Sequence, residues 1–235
     1  MSSTRQFNLY LSTENACGYL PDRSARNAYV DPALQMTRER YAWLITQGFR
    51  RSGDYVYRPH CNNCQLCTPS RVAVETFRAS RSQQRCLTRN ADLELQIVHT
   101  LSEEHHTLYQ RYLQVRHPGE GMDGDNPEAF QSFLQCSWGD AQFWEFRSDG
   151  RLLAVAVVDS LPAALSAVYT FFDPDEAARS LGTYAVLSQI AGAKKLGLPY
   201  VYLGYWVSES RKMDYKKNFR PLELLVENSW ATVPA

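Results

Sequence analysis

One histidine and three cysteines fall within eight residues: His60, Cys61, Cys64 and Cys67. This Cys-x2-Cys-x2-Cys run, with Cys17 or His60 as a fourth ligand, has donors that suit tetrahedral zinc or an iron–sulfur cluster. No second Cys-x-x-Cys pair follows, so the run also fits bare thiols in a tight turn under a sheet. Arginines come next. From Arg71 to Arg89 there are five (Arg71, Arg78, Arg81, Arg85, Arg89) against one acid, Glu75. The last four recur every three or four residues, on one side of a helix, where like charges repel unless an anion neutralises them. Such a row can grip a carboxylate or RNA phosphates; the bland alternative is a solvated helix face. A third stretch, Tyr205 to Glu223, interleaves cations with aromatics. That mixture suits stacking on bases and pairing with phosphates. It also fits a short amphipathic helix with Met213 and Phe219 turned inward. Cys86 and Cys136 read as small hydrophobes. The five histidines form no Ser/His/Asp or Cys/His pattern, and His105-His106 reads as an exposed helix start.

The elements that must position these residues form a mixed α+β chain. A short strand is expected around Phe7 to Leu11. Asp31-Pro32 suggests the start of a helix ending at Gly48. Phe49 to Tyr57 reads as a hairpin turning at Gly53-Asp54. Arg71 to Phe77 and Ala91 to Thr100 read as strands, Ser102 to Gln114 as a helix, His117 to Pro127 as a loop, and Pro127 to Cys136 as a short helix. Gln142 to Ser148, Arg151 to Leu161 and Ala164 to Phe172 are three strands, the first two joined at Asp149-Gly150. A helix over Thr183 to Leu196 and a strand over Tyr200 to Gly204 follow. Three strands, a loop, a helix and a strand is the order of the N-acetyltransferase (GNAT-like) fold with a mostly antiparallel central sheet, here preceded by a cysteine-containing N-terminal part. A division into 1–95 (Cys-containing, Arg-rich) and 96–235 (acetyltransferase-like) is plausible on composition. The acyl-CoA cradle of that fold is matched as Arg179-x-x-Gly182-x-Tyr184, and Tyr184 crowds the place where a small residue belongs.

The totals narrow the function. The chain has 235 residues, 44% hydrophobic and 21% charged, enough for a proper core and too apolar for disorder. Its net charge of zero hides a split: residues 1–100 hold 13 Arg, no Lys and 8 acids, while the rest hold 12 Lys/Arg and 17 acids. A bulk polyanion binder would be more basic, so any nucleic-acid contact is expected to be local. The first residues lack a signal-peptide pattern and no apolar run reaches membrane-spanning length. A cytoplasmic protein without a membrane partner is therefore expected, with its six cysteines reduced or metal-bound.

Four segments together resemble a known family, the aminoacyl-tRNA–protein transferases of the N-degron pathway. They are Cys17-Gly-Tyr-Leu, Tyr57-Arg-Pro-x-Cys61-x2-Cys64-x2-Cys67-x-Pro-x-Arg71-Val, Phe77-x2-Ser80-x-Ser82-Gln83-x-Arg85, and Gly204-Tyr-Trp-x3-Ser210-x-Lys212-Met213-x-Tyr215-Lys216-x2-Phe219-x-Pro221-x-Glu223. They span both halves of the chain. Size and overall likeness favour the bacterial aspartate/glutamate leucyltransferase type over the longer eukaryotic arginyltransferase. The resemblance implies transfer of leucine from leucyl-tRNA to acceptor proteins beginning with Asp or Glu, creating a degradation signal. It sets Arg71, Arg78, Ser80, Ser82, Gln83 and Arg85 to read the acidic N-terminus. Tyr205, Trp206, Lys212 and Tyr215 would line the reacting centre, and Arg211, Lys216, Lys217 and Arg220 would face the tRNA. Cys17, Cys61, Cys64 and Cys67 would hold any zinc or iron–sulfur cluster, though aminolysis of an activated ester requires no cofactor. Gln84 departs from the family, which often has a second arginine before Arg85. An acyl-CoA N-acetyltransferase and a non-enzymatic zinc-type RNA-binding module are the competing classes.

Overall fold

In the computed structural model, which describes residues 7–119 and 124–232, the first quarter of the chain builds short strands and one helix. These are β1 (Leu9–Leu11), β2 (Asn15–Ala16), β3 (Ser24–Ala25), β4 (Asn27–Val30), α1 (Arg38–Thr46), β5 (Arg50–Ser52) and β6 (Tyr55–Pro59). Strands β1, β4, β6 and β5 pair in that order, and β2 pairs with β3. The β5–β6 hairpin turns at Gly53, as its Gly-Asp pair predicts. There φ is +57° and a Cβ would meet the Ser132 carbonyl oxygen at 2.0 Å, so only glycine fits. Helix α1 starts six residues later than Asp31-Pro32 suggests. The Asp31 carboxylate accepts the Ala33 N–H at 2.9 Å in an isolated turn, and Thr37 caps the helix through the Arg40 N–H.

The chain continues with β7 (Cys67–Ala73), α2 (Arg81–Arg89), β8 (Glu94–Val98), α3 (Glu103–Arg116), α4 (Pro127–Leu134), β9 (Ala141–Ser148), β10 (Arg151–Leu161) and β11 (Ala164–Phe172). It closes with α5 (Leu181–Lys195), β12 (Tyr200–Val207), β13 (Leu222–Val226) and β14 (Ser229–Thr232). Two 3-10 turns, Pro174–Arg179 and Asp214–Asn218, flank α5 and β12. Part of the loop expected over 117–127, residues 120–123, lies outside the described residues. Eight strands form one sheet in the order β14-β13-β7-β12-β11-β10-β9-β8. Its pairs are antiparallel except β11 with β12. The meander β9–β10–β11 leads through α5 to a strand parallel to β11, which is the acetyltransferase-like α+β order the sequence suggests.

Both faces of the sheet are covered, which is why β10 is apolar almost throughout. On one face, α5 and α2 pack over Trp144, Phe146, Ala156, Val158, Leu165, Val201 and Leu203. On the other, α3 and α4 cover Phe143, Val155, Val157 and Phe171, while α1 sets Tyr41, Leu44 and Ile45 against Leu161, Ala164 and Tyr202. Each such buried side chain contributes about 1.5–3 kcal/mol. The boundary expected near residue 95 falls inside β8, and β7 lies between β12 and β13. The first hundred residues thus supply interior and edge strands to the sheet that the rest builds.

Candidate functional site

The sheet splits in its middle. Strands β11 and β12 pair only at Ala164–Tyr200, Leu165–Val201 and Ser166–Tyr202. Immediately beyond, the register shifts on both sides: between Val157 and Val158 in the β10–β11 pair, and between Tyr202 and Gly204 in the β12–β7 pair. Each shift bends its strand, so the two parallel strands diverge toward their C-terminal ends. Gly204 takes φ +80° at the second bulge, a conformation that favours glycine. A crevice at the C-terminal ends of adjoining strands is where open sheets place ligands.

Arg50 reaches this split from β5. Its Nη1 donates to Ser166 Oγ at 3.0 Å and its Nη2 to the Ala167 carbonyl. A Cβ at position 204 would lie 3.6 Å from Arg50 Nε, so glycine there keeps a side chain off the guanidinium. Lys216 enters from the turn Asp214–Asn218 and donates its Nζ to the Tyr205 carbonyl. Arg50 is 8% exposed and Lys216 5%. Burial first, and the Arg50 charge second, push the Lys216 ammonium down to about 7. Among the described residues neither cation has a carboxylate within ion-pair distance. Tyrosines surround them. Tyr205 is buried and donates its hydroxyl to the Gly48 carbonyl at 2.8 Å, and desolvation raises its pKa well above the ordinary value. Tyr215 is 43% exposed, yet its hydroxyl is shielded. Desolvation and nearby Tyr112 push it up to about 12, and Arg50 opposes them.

The residues expected from the sequence divide into three groups. Arg71 is not a reader of incoming acids. Its Nε donates to Glu223 at 2.7 Å, and its guanidinium lies 3.6 Å from the Tyr200 ring centre and 4.2 Å from that of Trp230, which locks β7 to β13. Ser80 and Gln83 form a reciprocal capping box at the start of α2, with Ser82 Oγ 3.0 Å from Ser80 Oγ. Arg78 precedes the helix and donates to the Glu75 and Phe77 carbonyls, so it leaves the helical row. Arg81 and Arg85 remain exposed. The second group is the tail. Gln83 donates to the Asn218 carbonyl at 3.0 Å and Phe77 stacks on Phe219, so α2 and the tail adjoin as the cationic pattern requires. Arg211, Lys212, Lys217 and Arg220 are exposed, with Lys217 paired to Asp214 at 3.2 Å. Trp206, Lys217, Arg220 and Leu222 line a hollow of 20 Å³. The Trp206 indole N–H is shielded and has no acceptor among the described residues. Lys216, expected at the tRNA surface, is instead inside: its stem and ammonium complete the split.

The third group is the cysteines. Cys67 opens β7, Cys61 and Cys64 pair through their backbones with both thiols free, and Cys17 lies within electrostatic reach. Burial and then the neighbouring thiols push Cys67 up to about 12, so at neutral pH it is a thiol, not a nucleophilic thiolate. Among the described residues no group of three or more His, Cys, Asp or Glu is placed to hold a metal ion. His105 is a correction too. It is fully buried; its Nδ1 accepts the Ser102 N–H, which leaves Nε2 to donate to Glu145 at 2.8 Å. The acyl-CoA cradle is closed. Arg179 Nε donates to Asn90 at 3.0 Å and its guanidinium pairs with Asp92, so α2 and a carboxylate already cover the start of α5. Among the described residues no helix is long and apolar enough to cross a membrane.

Sequence reasoning missed Arg50. Its partners lie more than a hundred residues away, and the visible signal was Arg50-Arg51 in a two-sided short strand.

The chain is 47% identical to the aspartate/glutamate leucyltransferase of Saccharophagus degradans over 99% of both chains. It is 49% identical to that of Stutzerimonas stutzeri, over 99% of this chain and 100% of the relative. Among solved structures, L-PGS from Bacillus licheniformis aligns at a TM-score of 0.46 and 14% identity, over 62% of this chain and 49% of that one. A GCN5-related glucosamine N-acetyltransferase region of a fungal GH3 β-N-acetylglucosaminidase aligns at 0.44 and 10%, over 80% and 22%. Residues 15–85 match the family described as arginine-tRNA-protein transferase, N terminus, and residues 104–226 match its C terminus. With both parts matched and near-full-length relatives at this identity, the chain belongs to the arginine-tRNA-protein transferase family.

Proposed function

We propose that the protein transfers leucine from leucyl-tRNA to the N-terminal Asp or Glu of acceptor proteins. The observation that carries this is 47–49% identity over 99% of the chain with relatives named for that activity. The reaction is aminolysis. The acceptor's neutral α-amine attacks the ester carbonyl, the C–N bond forms, and the C–O bond to the tRNA ribose breaks. The ribose oxygen leaves with a proton that the amine gives up. The α-amine, with pKa ~8, is partly neutral at pH 7, so no covalent enzyme intermediate is needed. What the protein supplies is juxtaposition and a place for the oxyanion. Two features support this reading: the cationic split in the sheet, and the start of α5, where Arg179 is already engaged by Asn90 and Asp92 rather than left for a CoA pyrophosphate. Exposed Arg81, Arg85, Arg211, Lys217 and Arg220 would meet the tRNA backbone, and Trp206 would stack near its 3′ end.

The test is single-turnover transfer from purified leucyl-tRNA to a peptide starting with Asp, beside arginyl-tRNA as the donor. Leucine is expected on the peptide and arginine is not. Transfer from arginyl-tRNA alone, or from neither, would overturn the proposal.

A further inference from the structure

We infer that Arg50 and Lys216, at the floor of the split between β11 and β12, receive the side-chain carboxylate of the acceptor's first residue. This rests on the leucyl-transfer reading and names the groups that select its acceptor.

Two other buried arginines each have a carboxylate. Arg51 pairs with Asp159 at 2.6 Å and Arg71 with Glu223 at 2.7 Å. Arg50 and Lys216 have carbonyl oxygens, the Ser166 hydroxyl and neutral tyrosines, and burial first and the Arg50 charge second raise the cost of charging Lys216. Two adjacent desolvated cations are unfavourable unless an anion joins them. One carboxylate between them would turn that repulsion into two charge-assisted hydrogen bonds.

Place and access favour a carboxylate over an RNA phosphate. Both cations are almost hidden from solvent, Arg50 8% and Lys216 5% exposed, which suits a carboxylate carried at the tip of a side chain. A phosphodiester, flanked by two sugars, is not carried in that way. A side chain at position 204 would press on Arg50, its Cβ 3.6 Å from Nε, and glycine spares that contact. In Asp or Glu only one or two methylenes separate the carboxylate from the carbon that bears the attacking amine. The group that reads the side chain must therefore adjoin the reacting centre, and in this fold that is the split. The exposed arginines of α2 are solvated, and solvated cations discriminate weakly. A desolvated pair built for a partner rejects the analogue lacking it by several orders of magnitude.

Transfer of leucine to two matched peptides, one beginning with Asp and one with Asn, separates the roles. The native protein is expected to prefer Asp on the order of 10³-fold or more. Arg50→Gln and Lys216→Met are expected to lose at least about 100-fold in kcat/KM on the Asp peptide and little on the Asn peptide, so the ratio collapses. Lys216→Arg, which restores a cation, should recover most of the preference. Equal losses on both peptides, with the ratio kept, would overturn the inference and leave these residues an oxyanion or packing role. Should Arg50→Gln fail to fold by circular dichroism, Lys216→Met and Lys216→Arg still decide between these outcomes. Native protein that transfers leucine to neither peptide would instead overturn the leucyl-transfer reading.

Discussion

Arg50 and Arg51 are chain neighbours on β5, equally hidden from water, and they point to opposite sides of it. Arg51 meets Asp159 with Nε and Nη2 at 2.6–3.0 Å, a forked pair with both side chains almost wholly buried. The pairing holds the hairpin against β10, and Asp159 keeps the guanidinium charged despite the opposing cost of burial. Arg50 meets oxygens without full charge, beside a second cation. Two buried arginines of the same strand thus differ in one respect: one is neutralised by a carboxylate and, among the described residues, the other is not. A closed pair is architecture. An open pair stores a preference for an anion that the described residues do not supply.

The comparison breaks first at Asp159. Asp159→Asn removes the neutralising charge and should destabilise the fold by about 3–5 kcal/mol, measured by urea denaturation. A loss below about 1 kcal/mol would erase the distinction between the two arginines. Glu223→Gln tests the partly exposed analogue at Arg71. There the expected loss is smaller, about 1–2 kcal/mol, because solvent screens the pair and the stacking on Tyr200 and Trp230 persists. The open pair should behave in the opposite sense. Lys216 is pushed down to about 7, so between pH 7 and about 10.5 the unfolded chain binds more protons and native stability rises with pH. Below pH 7 the burial cost of the ammonium is fully present. Lys216→Met should therefore be more stable than the native protein below pH 7, on the order of 1 kcal/mol or about 2–4 °C. The gain is limited by the donor lost to the Tyr205 carbonyl, and it should fade toward pH 10.5. Cys67 and Tyr205 stay protonated in the native protein across that window but ionise in the unfolded chain near their ordinary values of 9.0 and 10.0. They therefore oppose the rise above about pH 9, and the comparison of Lys216→Met with the native protein cancels their effect. A variant less stable than native at pH 6 would show that Lys216 is a structural donor first.

Much of the second half was readable from local pattern. Alternation and Asp149-Gly150 place β9 to β11, and Gly197 ends α5 where a stop is expected. The β13–β14 hairpin was hidden because its turn is Glu227-Asn228, both at positive φ, with no glycine to mark it. The bulge that opens the split is half visible: Gly204 within an apolar strand is a bulge signal, but the same glycine reads equally as the strand's end. Roles carried by charge resisted reading for another reason. A sequence shows that Arg71, Arg78 and Lys216 are cations, but not which of them the fold will neutralise, bend onto its own carbonyls or bury. Arg50 is defined by Ser166, Gly204 and Lys216, and no spacing near residue 50 carries that information. The family resemblance pointed to segments, and the structure gives several of their residues another environment: Arg71 paired, Arg78 bent onto its own carbonyls, Lys216 buried.

The position of β7 has a consequence for how the protein is made. This strand sits between β12 and β13, so residues synthesised early must wait for both of their neighbours until nearly the whole chain has left the ribosome. Until then the apolar edge of the nascent polypeptide stays unpaired, and closure depends on long loops finding their ends. Translation pauses or truncation before residue 222 would leave that strand with one side bare, an opening for chaperones or for aggregation.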